Sequence, residues 1–230
     1  MRKIVLPGEL VSTERKRVGD HAFLQDGKIF SDCVGLLDDG PTTVAVVPLQ
    51  GRYVPKTGDV VVGIVSGEKA TGYMIDINSF SQCYLSKKDV RETMKMGTIV
   101  SAKIDRVNEL NEADLFNARA FYGGELLCIA PVKVPRLIGK NGSMLDTIKY
   151  GTNTNLVVGR NGWIWAKGGD TDLASKAVDK IEREAHVEHL TEKITDFLKQ
   201  HNPQAVFPAG NILSAKPTDM EHNQERGNGL

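Results

Sequence analysis

The pattern of apolar and polar positions changes twice along the chain and so divides it into three stretches. The first stretch ends near residue 53. In this stretch short apolar runs alternate with turn signals such as Asp26-Gly27 and Asp39-Gly40. Asp-Gly between apolar runs favours β-hairpins, because those turns need a positive φ that glycine adopts at little cost. We therefore predict a small N-terminal β domain at residues 1–53, with strands around Ala22–Leu24, Lys28–Phe30 and Thr42–Leu49.

The second stretch, residues 54–123, consists of short β runs after a turn. The predicted strands, one of which alternates apolar with polar positions, are Val60–Val65, Thr71–Ile77, Ser81–Leu85 and Thr98–Val107, with one helical turn at Lys87–Arg91. Short strands of this kind indicate an OB-type barrel, which has five strands. A plain β-sandwich remains an alternative, since counting strands does not separate the two.

From residue 124 the pattern becomes mixed α and β. The predicted order is strand, helix, loop, helix, strand, strand and helix, with the longer elements at Leu126–Ala130, Ser143–Lys149, Asn155–Val158 and Trp163–Ala166. Asn161-Gly162 is a strong hairpin signal between the last two strands. Asp170 and Thr171 resemble an N-cap for a long helix, and a second helical segment ends near Pro203.

Two further expectations concern the end of the chain. Trp163 and Trp165 share one face of a strand, and we expect that face to pack against the long helix, with base stacking as the less favoured role. Residues 204–230 are polar and lack apolar periodicity, so a flexible tail is predicted.

The loop between the two short helices carries the sharpest local motif, a G-x-x-G formed by Gly139, Lys140, Asn141 and Gly142. In KH domains such a loop brings backbone amides and a helix N-terminus against nucleic-acid phosphates, and a glycine lets the phosphate approach closely. A lone G-x-x-G is common by chance. The order of elements around it makes these four residues RNA-binding candidates.

Charge supports a local contact with nucleic acid, although the formal net charge is zero. Residues 125–168 carry six basic and two acidic side chains, whereas residues 169–230 carry seven basic and eleven acidic ones. Phosphate contacts respond to the local field, so a neutral protein can still present a positive surface. A solvated basic face beside an acidic helix explains the same asymmetry.

The composition points away from several other classes. The three cysteines lie about fifty residues apart, so we expect reduced thiols, no disulfide and no metal site, and the short apolar runs predict a cytoplasmic protein without membrane contact. His186 and His189 lack the H-E-x-x-H order and a third ligand. No nucleophile or phosphate-loop motif is present, so no enzyme activity and no cofactor are expected.

Two segments give the chain a specific resemblance. L-P-G-E at residues 6–9 and Y-V-P-K-T-G-D at residues 53–59 are similar to segments of the archaeal exosome cap subunits that carry an S1 domain and a KH domain. The shared order of N-terminal domain, S1, KH and polar tail covers nearly the whole chain. The resemblance implies a multidomain β plus α+β fold: a small N-terminal β domain, an S1 (OB-fold) barrel at residues 54–123, and a KH domain with a C-terminal helical extension at residues 124–203.

The resemblance also implies a function. Three copies are expected on a hexameric ring of RNase PH-like subunits that degrades RNA from its 3′ end, beside other exosome cap subunits. The N-terminal domain would dock on the ring, and the S1 domains would surround the pore and meet single-stranded RNA. In this family the Gly139–Gly142 loop commonly reads G-x-N-G and packs against the neighbouring domain, so RNA contact and packing both remain open for it.

Within the S1 domain the resemblance adds further RNA-binding candidates. S1 domains often place an aromatic residue where Tyr73 follows Gly72, and Lys69, Lys87 and Lys88 lie in the adjoining loops. An ordinary barrel aromatic and solvated lysines are the alternatives. At the level of the whole chain, the alternatives are an assembly scaffold with little RNA contact and a free S1/KH RNA-binding factor.

Overall fold

The computed structural model describes residues 3–49, 51–90, 92–185, 187, 189–203 and 207. His186 and nearly all of the predicted tail lie outside the described residues, so those expectations stay predictions. Within the described part of the chain, no helix combines the length and the apolar character that a membrane span requires.

The N-terminal segment folds into two small sheets. One has the strand order β1-β6-β7-β3 and the other the order β2-β5-β4. The Asp26-Gly27 turn joins β4 to β5, and both of its residues have positive φ, as the hairpin prediction requires. The strands are Ile4–Val5 (β1), Leu10–Ser12 (β2), Arg17–Val18 (β3), Ala22–Gln25 (β4), Lys28–Ser31 (β5), Gly35–Asp39 (β6) and Thr43–Pro48 (β7).

The next strands close into a barrel in the order β10-β12-β11-β8-β9, which confirms the OB-type prediction over the sandwich. Residues that point inward include Val61, Ile75, Leu85, Ile104 and Leu115, each at most 2% exposed. A 3₁₀ turn at Lys87–Asp89 occupies the place of the predicted helical turn. The strands are Val60–Lys69 (β8), Gly72–Asp76 (β9), Cys83–Ser86 (β10), Ile99–Val107 (β11) and Ala113–Phe121 (β12).

The last unit has the predicted KH order of elements. Its sheet has the order β13-β15-β14, and α3 begins after Asp170, whose side chain accepts a hydrogen bond from the amide of Leu173 at 2.8 Å. The elements are Glu125–Cys128 (β13), Val134–Ile138 (α1), Ser143–Thr152 (α2), Asn155–Val158 (β14), Trp163–Lys167 (β15), Thr171–Glu184 (α3) and Leu190–His201 (α4).

The expectation that the tryptophans pack against the long helix is wrong. Because side chains alternate across a strand, Ile164 and Ala166 of β15 face the helices, and Trp163 and Trp165 face the barrel. The Trp165 ring stacks on Phe121 with a centroid distance of 4.3 Å. The sheet of the KH unit therefore has helices on one face and the barrel on the other.

A hairpin turn fixes the KH unit to the barrel. Asn161, 1% exposed, donates hydrogen bonds to the carbonyls of Val62 (2.7 Å) and Ile77 (2.9 Å) and accepts one from the amide of Val62 (3.1 Å). Gly159 lies so close to the barrel that an added Cβ would stand 2.5 Å from the Val62 amide nitrogen. The packed turn with a G-x-N-G sequence is therefore Gly159–Gly162.

Candidate nucleic-acid interface

Tyr73, the aromatic residue predicted to stack on RNA, lies in the barrel core. It is 2% exposed, and its hydroxyl accepts a hydrogen bond from the amide of Met94 at 3.2 Å. Base stacking needs an open ring face. The alternative of an ordinary barrel aromatic describes this position, and Tyr73 offers RNA no accessible surface.

An outward aromatic residue lies one strand away. On β10, Tyr84 is flanked by Cys83 and Leu85, which are both fully buried, so the alternation of the strand turns Tyr84 outward. Its hydroxyl donates to Thr71 Oγ1 at 2.9 Å, which holds the ring over the outer surface of the barrel. The sequence analysis did not predict Tyr84, although the apolar residues on either side of it, Cys83 and Leu85, indicate an outward side chain between them.

A second aromatic side chain shares this face. Strands β10 and β12 pair in parallel with Tyr84 opposite Asp114, so Phe116, two residues further along, lies on the same side of the barrel. Both rings border a shallow groove. The ammonium group of Lys103 lies 5.9 Å from the centre of the Phe116 ring. Two half-buried rings beside a cation form the type of surface on which unpaired bases stack.

Tyr84 also borders a second groove, which both basic and acidic side chains line. This groove, about 350 Å³, is bordered by Lys69 and Arg106 as well as by Glu112 and Asp114. Arg106 donates to Asp114 at 2.6 Å, so one of the two cations is already paired. The carboxylates reduce the positive potential. We therefore expect aromatic stacking to contribute more than phosphate contacts on this face.

The other two predicted lysines lie where the 3₁₀ turn follows β10. Lys87 pairs with Glu68 at 2.6 Å, and its ammonium group lies 5.5 Å from the ring centre of Tyr73. The hydrogen bond to Glu68 is the main cause that raises the pKa of Lys87. Lys88 is exposed and forms no ion pair among the described residues. Of these two lysines, Lys88 is therefore the one available to a phosphate.

The Gly139–Gly142 loop lies at the surface between α1 and α2. Gly139 and Gly142 have φ of 74° and 83°, and an added Cβ at Gly139 would lie 2.7 Å from the Cβ of Met144. Lys140 and Asn141 are exposed. The glycines let the chain turn tightly into α2, and the two side chains between them point to solvent. This geometry favours a ligand-accessible loop, since the turn packed on the barrel is Gly159–Gly162.

Two cations near this loop are unpaired within the described part of the chain. Arg136 on α1 and Lys140 in the loop are exposed, and the ion pairs of the described residues include neither. Lys133, at the start of the same segment, lies 3.9 Å from Glu182. Arg136 and Lys140 can therefore face a phosphate backbone without first breaking an ion pair.

Comparison with known proteins agrees with these observations. Residues 2–50 match the family described as the exosome RNA binding protein RRP4 N-terminal domain, and residues 124–172 match the KH domain family. A solved crystal structure described as an exosome complex RNA-binding protein has a TM-score of 0.60 and 28% sequence identity, covering 66% of this chain and 98% of that one.

Full-length relatives give the same result. The exosome complex component Rrp4 of Thermococcus kodakarensis is 35% identical over 218 residues, which is 86% of this chain and 85% of the relative. Rrp4 of Pyrococcus furiosus is 36% identical with 86% and 83% coverage, and Rrp4 of Methanosarcina barkeri is 32% identical with 97% and 94% coverage.

Fold and comparisons together define a class, the multidomain proteins that join an OB-type barrel to a KH domain. Within that class, this chain belongs to the Rrp4 family of exosome complex components. The resemblance predicted from the two sequence segments is thereby confirmed.

Proposed function

We propose that this chain is a non-catalytic RNA-binding cap subunit. It docks on an RNase PH-like ring through its N-terminal domain and guides single-stranded RNA into the pore for degradation from the 3′ end. We also propose that the domains divide at residues 53 and 123 and that the protein is cytoplasmic. The observation that carries the proposal is the outward face of Tyr84 and Phe116 on a chain of the Rrp4 family.

The surface of the N-terminal sheets supports docking. Ile4, Leu6 and Leu24 are 58%, 57% and 62% exposed. Contiguous exposed apolar surface marks protein interfaces, and these three side chains are the candidates for such a surface on this domain. Burying them against a ring would remove this apolar area from water, which is the main favourable term in association.

Several weak contacts can act together in such an assembly. A stacking face, an exposed lysine near it and the Gly139–Gly142 loop each bind RNA weakly, and three copies around one pore raise the effective concentration of every site. Backbone contacts combined with stacking give little sequence preference and a strong dependence on salt.

The experiment measures binding of a single-stranded A-rich oligonucleotide and its decay, by this chain alone, by the purified RNase PH-like ring alone, and by the mixture, over a salt series. We expect the mixture to bind more tightly and to degrade RNA faster than the ring alone, with the gain falling as salt rises. The chain alone should leave the labelled RNA intact, with or without added metal.

Other outcomes would replace the proposal. Ring association without a gain in RNA capture would make the chain an assembly scaffold. RNA binding without ring association would make it a free S1/KH factor. RNA cleavage by the chain alone would contradict the non-catalytic role.

A further inference from the structure

Three side chains with different donor atoms meet in the N-terminal domain. His21, Asp32 and Cys33 each offer one ligand atom, and these atoms all lie within 4.8 Å of one another. The imidazole Nδ1 of His21 is 3.3 Å from a carboxylate oxygen of Asp32. This separation is close to the distance between two ligands of one tetrahedral metal ion, whose bonds to nitrogen and oxygen are about 2 Å long.

The backbone holds the three side chains in place. His21, with a φ of 56°, precedes β4, and Asp32 and Cys33 follow β5. The amide of Asp32 donates to the carbonyl of His21 at 3.2 Å, and the hydroxyl of Ser31 donates to the carbonyl of Cys33 at 2.7 Å. One main-chain hydrogen bond and one from the Ser31 hydroxyl therefore tie the cluster to the strand ends.

The donor set suits a borderline transition metal. Imidazole nitrogen, thiolate sulfur and carboxylate oxygen are the ligands that Zn²⁺ and its close analogues take in proteins, with water completing four-fold coordination. Burial and the hydrogen bond to Asp32 raise the pKa of the Cys33 thiol, and metal binding would release its proton, so we expect the affinity for metal to increase with pH.

We propose that His21, Asp32 and Cys33 form a Zn²⁺-type metal site at the end of the β4–β5 hairpin, where Ala22 pairs with Ser31 and the chain passes between the two sheets of the N-terminal domain. Cys33 lies between β5 of one sheet and β6 of the other. In the described strands of this domain the buried large apolar side chains are few: Val5, Ile29, Val44 and Val46. A domain with so small a core gains much from a cross-link, and metal ions supply one in small folds.

The test uses the untagged full-length chain and Co²⁺ as a spectroscopic probe, followed by displacement with Zn²⁺. We expect one equivalent of Co²⁺ to produce a thiolate-to-metal charge-transfer band that Zn²⁺ removes. Cys33→Ser should abolish the band. His21→Asn, which keeps a residue that tolerates positive φ, should weaken binding by at least about ten-fold.

The other cysteines provide the matched control. Cys128 is exposed on β13, and Cys83 lies in the barrel core, where burial raises its pKa to about 11. Cys128→Ser should keep both the band and the affinity. Thermal unfolding should shift upward with Zn²⁺ in the parent chain and in Cys128→Ser, but not in Cys33→Ser, because a ligand of the folded state stabilises it by mass action.

Two results would overturn the proposal: absence of Co²⁺ binding to the parent chain, or a band that persists in Cys33→Ser. The cluster would then be a set of hydrogen bonds among imidazole, carboxylate and thiol. Circular dichroism of each variant separates loss of the site from loss of the fold. None of these readouts depends on RNA or on the ring, so this test stands apart from the proposed cap function.

Discussion

At the residue scale, Asn161 determines how the barrel and the KH unit are joined. Its side-chain amide satisfies two carbonyls and one amide of the barrel from a position that is 1% exposed. Buried polar groups that lose their partners cost the full desolvation penalty, which exceeds the net gain of the hydrogen bond itself. The junction between the barrel and the KH unit therefore depends strongly on the side chain of Asn161.

We predict that Asn161→Ala lowers the free energy of unfolding by about 2–4 kcal/mol, because the Val62 and Ile77 groups lose their partner. Urea unfolding followed by tryptophan fluorescence measures it well, since both tryptophans of the chain lie on β15, and the Trp165 ring packs on Phe121 at this junction. Asn155→Ala, at an exposed position on β14, is the control and should change stability by less than about 0.5 kcal/mol. Equal losses of stability in Asn161→Ala and Asn155→Ala would contradict the role given to Asn161.

The same scale shows what the sequence could and could not predict about the site. The glycine before Tyr73 on the second strand predicts a stacking position there, but the strand alternates so that the Tyr73 ring points inward. Tyr84 between two apolar residues could have been chosen from alternation alone. Asn161 could not, because its partners lie 84 and 99 residues away in sequence, and only the packed fold brings them together.

Tyr84 gives the second prediction. We expect Tyr84→Ala to weaken binding of single-stranded RNA by about ten-fold, because stacking contributes about 1–3 kcal/mol per base. Fluorescence anisotropy with a labelled A-rich oligonucleotide measures the change. Tyr150→Ala removes another tyrosine, 53% exposed on α2, and should leave the affinity unchanged. A loss of RNA affinity in Tyr150→Ala but not in Tyr84→Ala would mean that RNA does not bind at the barrel face.

At the scale of elements, local signals predicted the KH unit well and the N-terminal sheets only in part. Asp170 caps α3 as expected, and the hairpin at residues 159–162 joins β14 to β15, because caps and tight turns depend on neighbouring residues. Strands β1 and β3 have two residues each, too few to show alternation, and the sequence does not delimit β12, because its polar residues interrupt the apolar pattern. Such strands are fixed by their partners in the sheet.

In the Gly139–Gly142 loop, Lys140 is the side chain that we expect to contact a phosphate. We expect Lys140→Ala to weaken RNA binding and to reduce the slope of log affinity against log salt by about 0.7, the value for one phosphate contact to a single strand. Titrations at several salt concentrations give the slope. Lys176→Ala, at an exposed position on α3, should leave it unchanged. An unaltered slope in Lys140→Ala would mean that the loop does not hold RNA.

At the scale of the whole molecule, the surfaces proposed for the ring and for RNA lie on different parts of the chain. The exposed apolar side chains of the N-terminal sheets precede residue 50, whereas the stacking face and the Gly139–Gly142 loop lie beyond residue 80. Leu24 pairs with Ile29 in the N-terminal sheet and the Tyr84 hydroxyl bonds to Thr71 in the barrel, so these two residues share no partner and we expect their substitutions to act independently.

Leu24→Glu tests this separation. A carboxylate at this 62% exposed position would have to lose its water on docking, so we expect the affinity for the ring to fall by at least about 30-fold, or about 2 kcal/mol. RNA binding by the free chain should stay at the parent value. Leu110→Glu, 73% exposed in the turn between β11 and β12, introduces the same charge on the barrel and should leave ring affinity unchanged.

Mixing each variant with the ring tests the two surfaces together. A mixture of the ring with Leu24→Glu should degrade RNA at the rate of the ring alone, since a variant that does not dock cannot bring RNA to the ring. Tyr84→Ala should still join the ring but accelerate RNA decay less than the parent chain does. If Leu24→Glu joined the ring with unchanged affinity, the docking face would lie elsewhere, while the assignment of the barrel face to RNA would stand on the Tyr84 result alone.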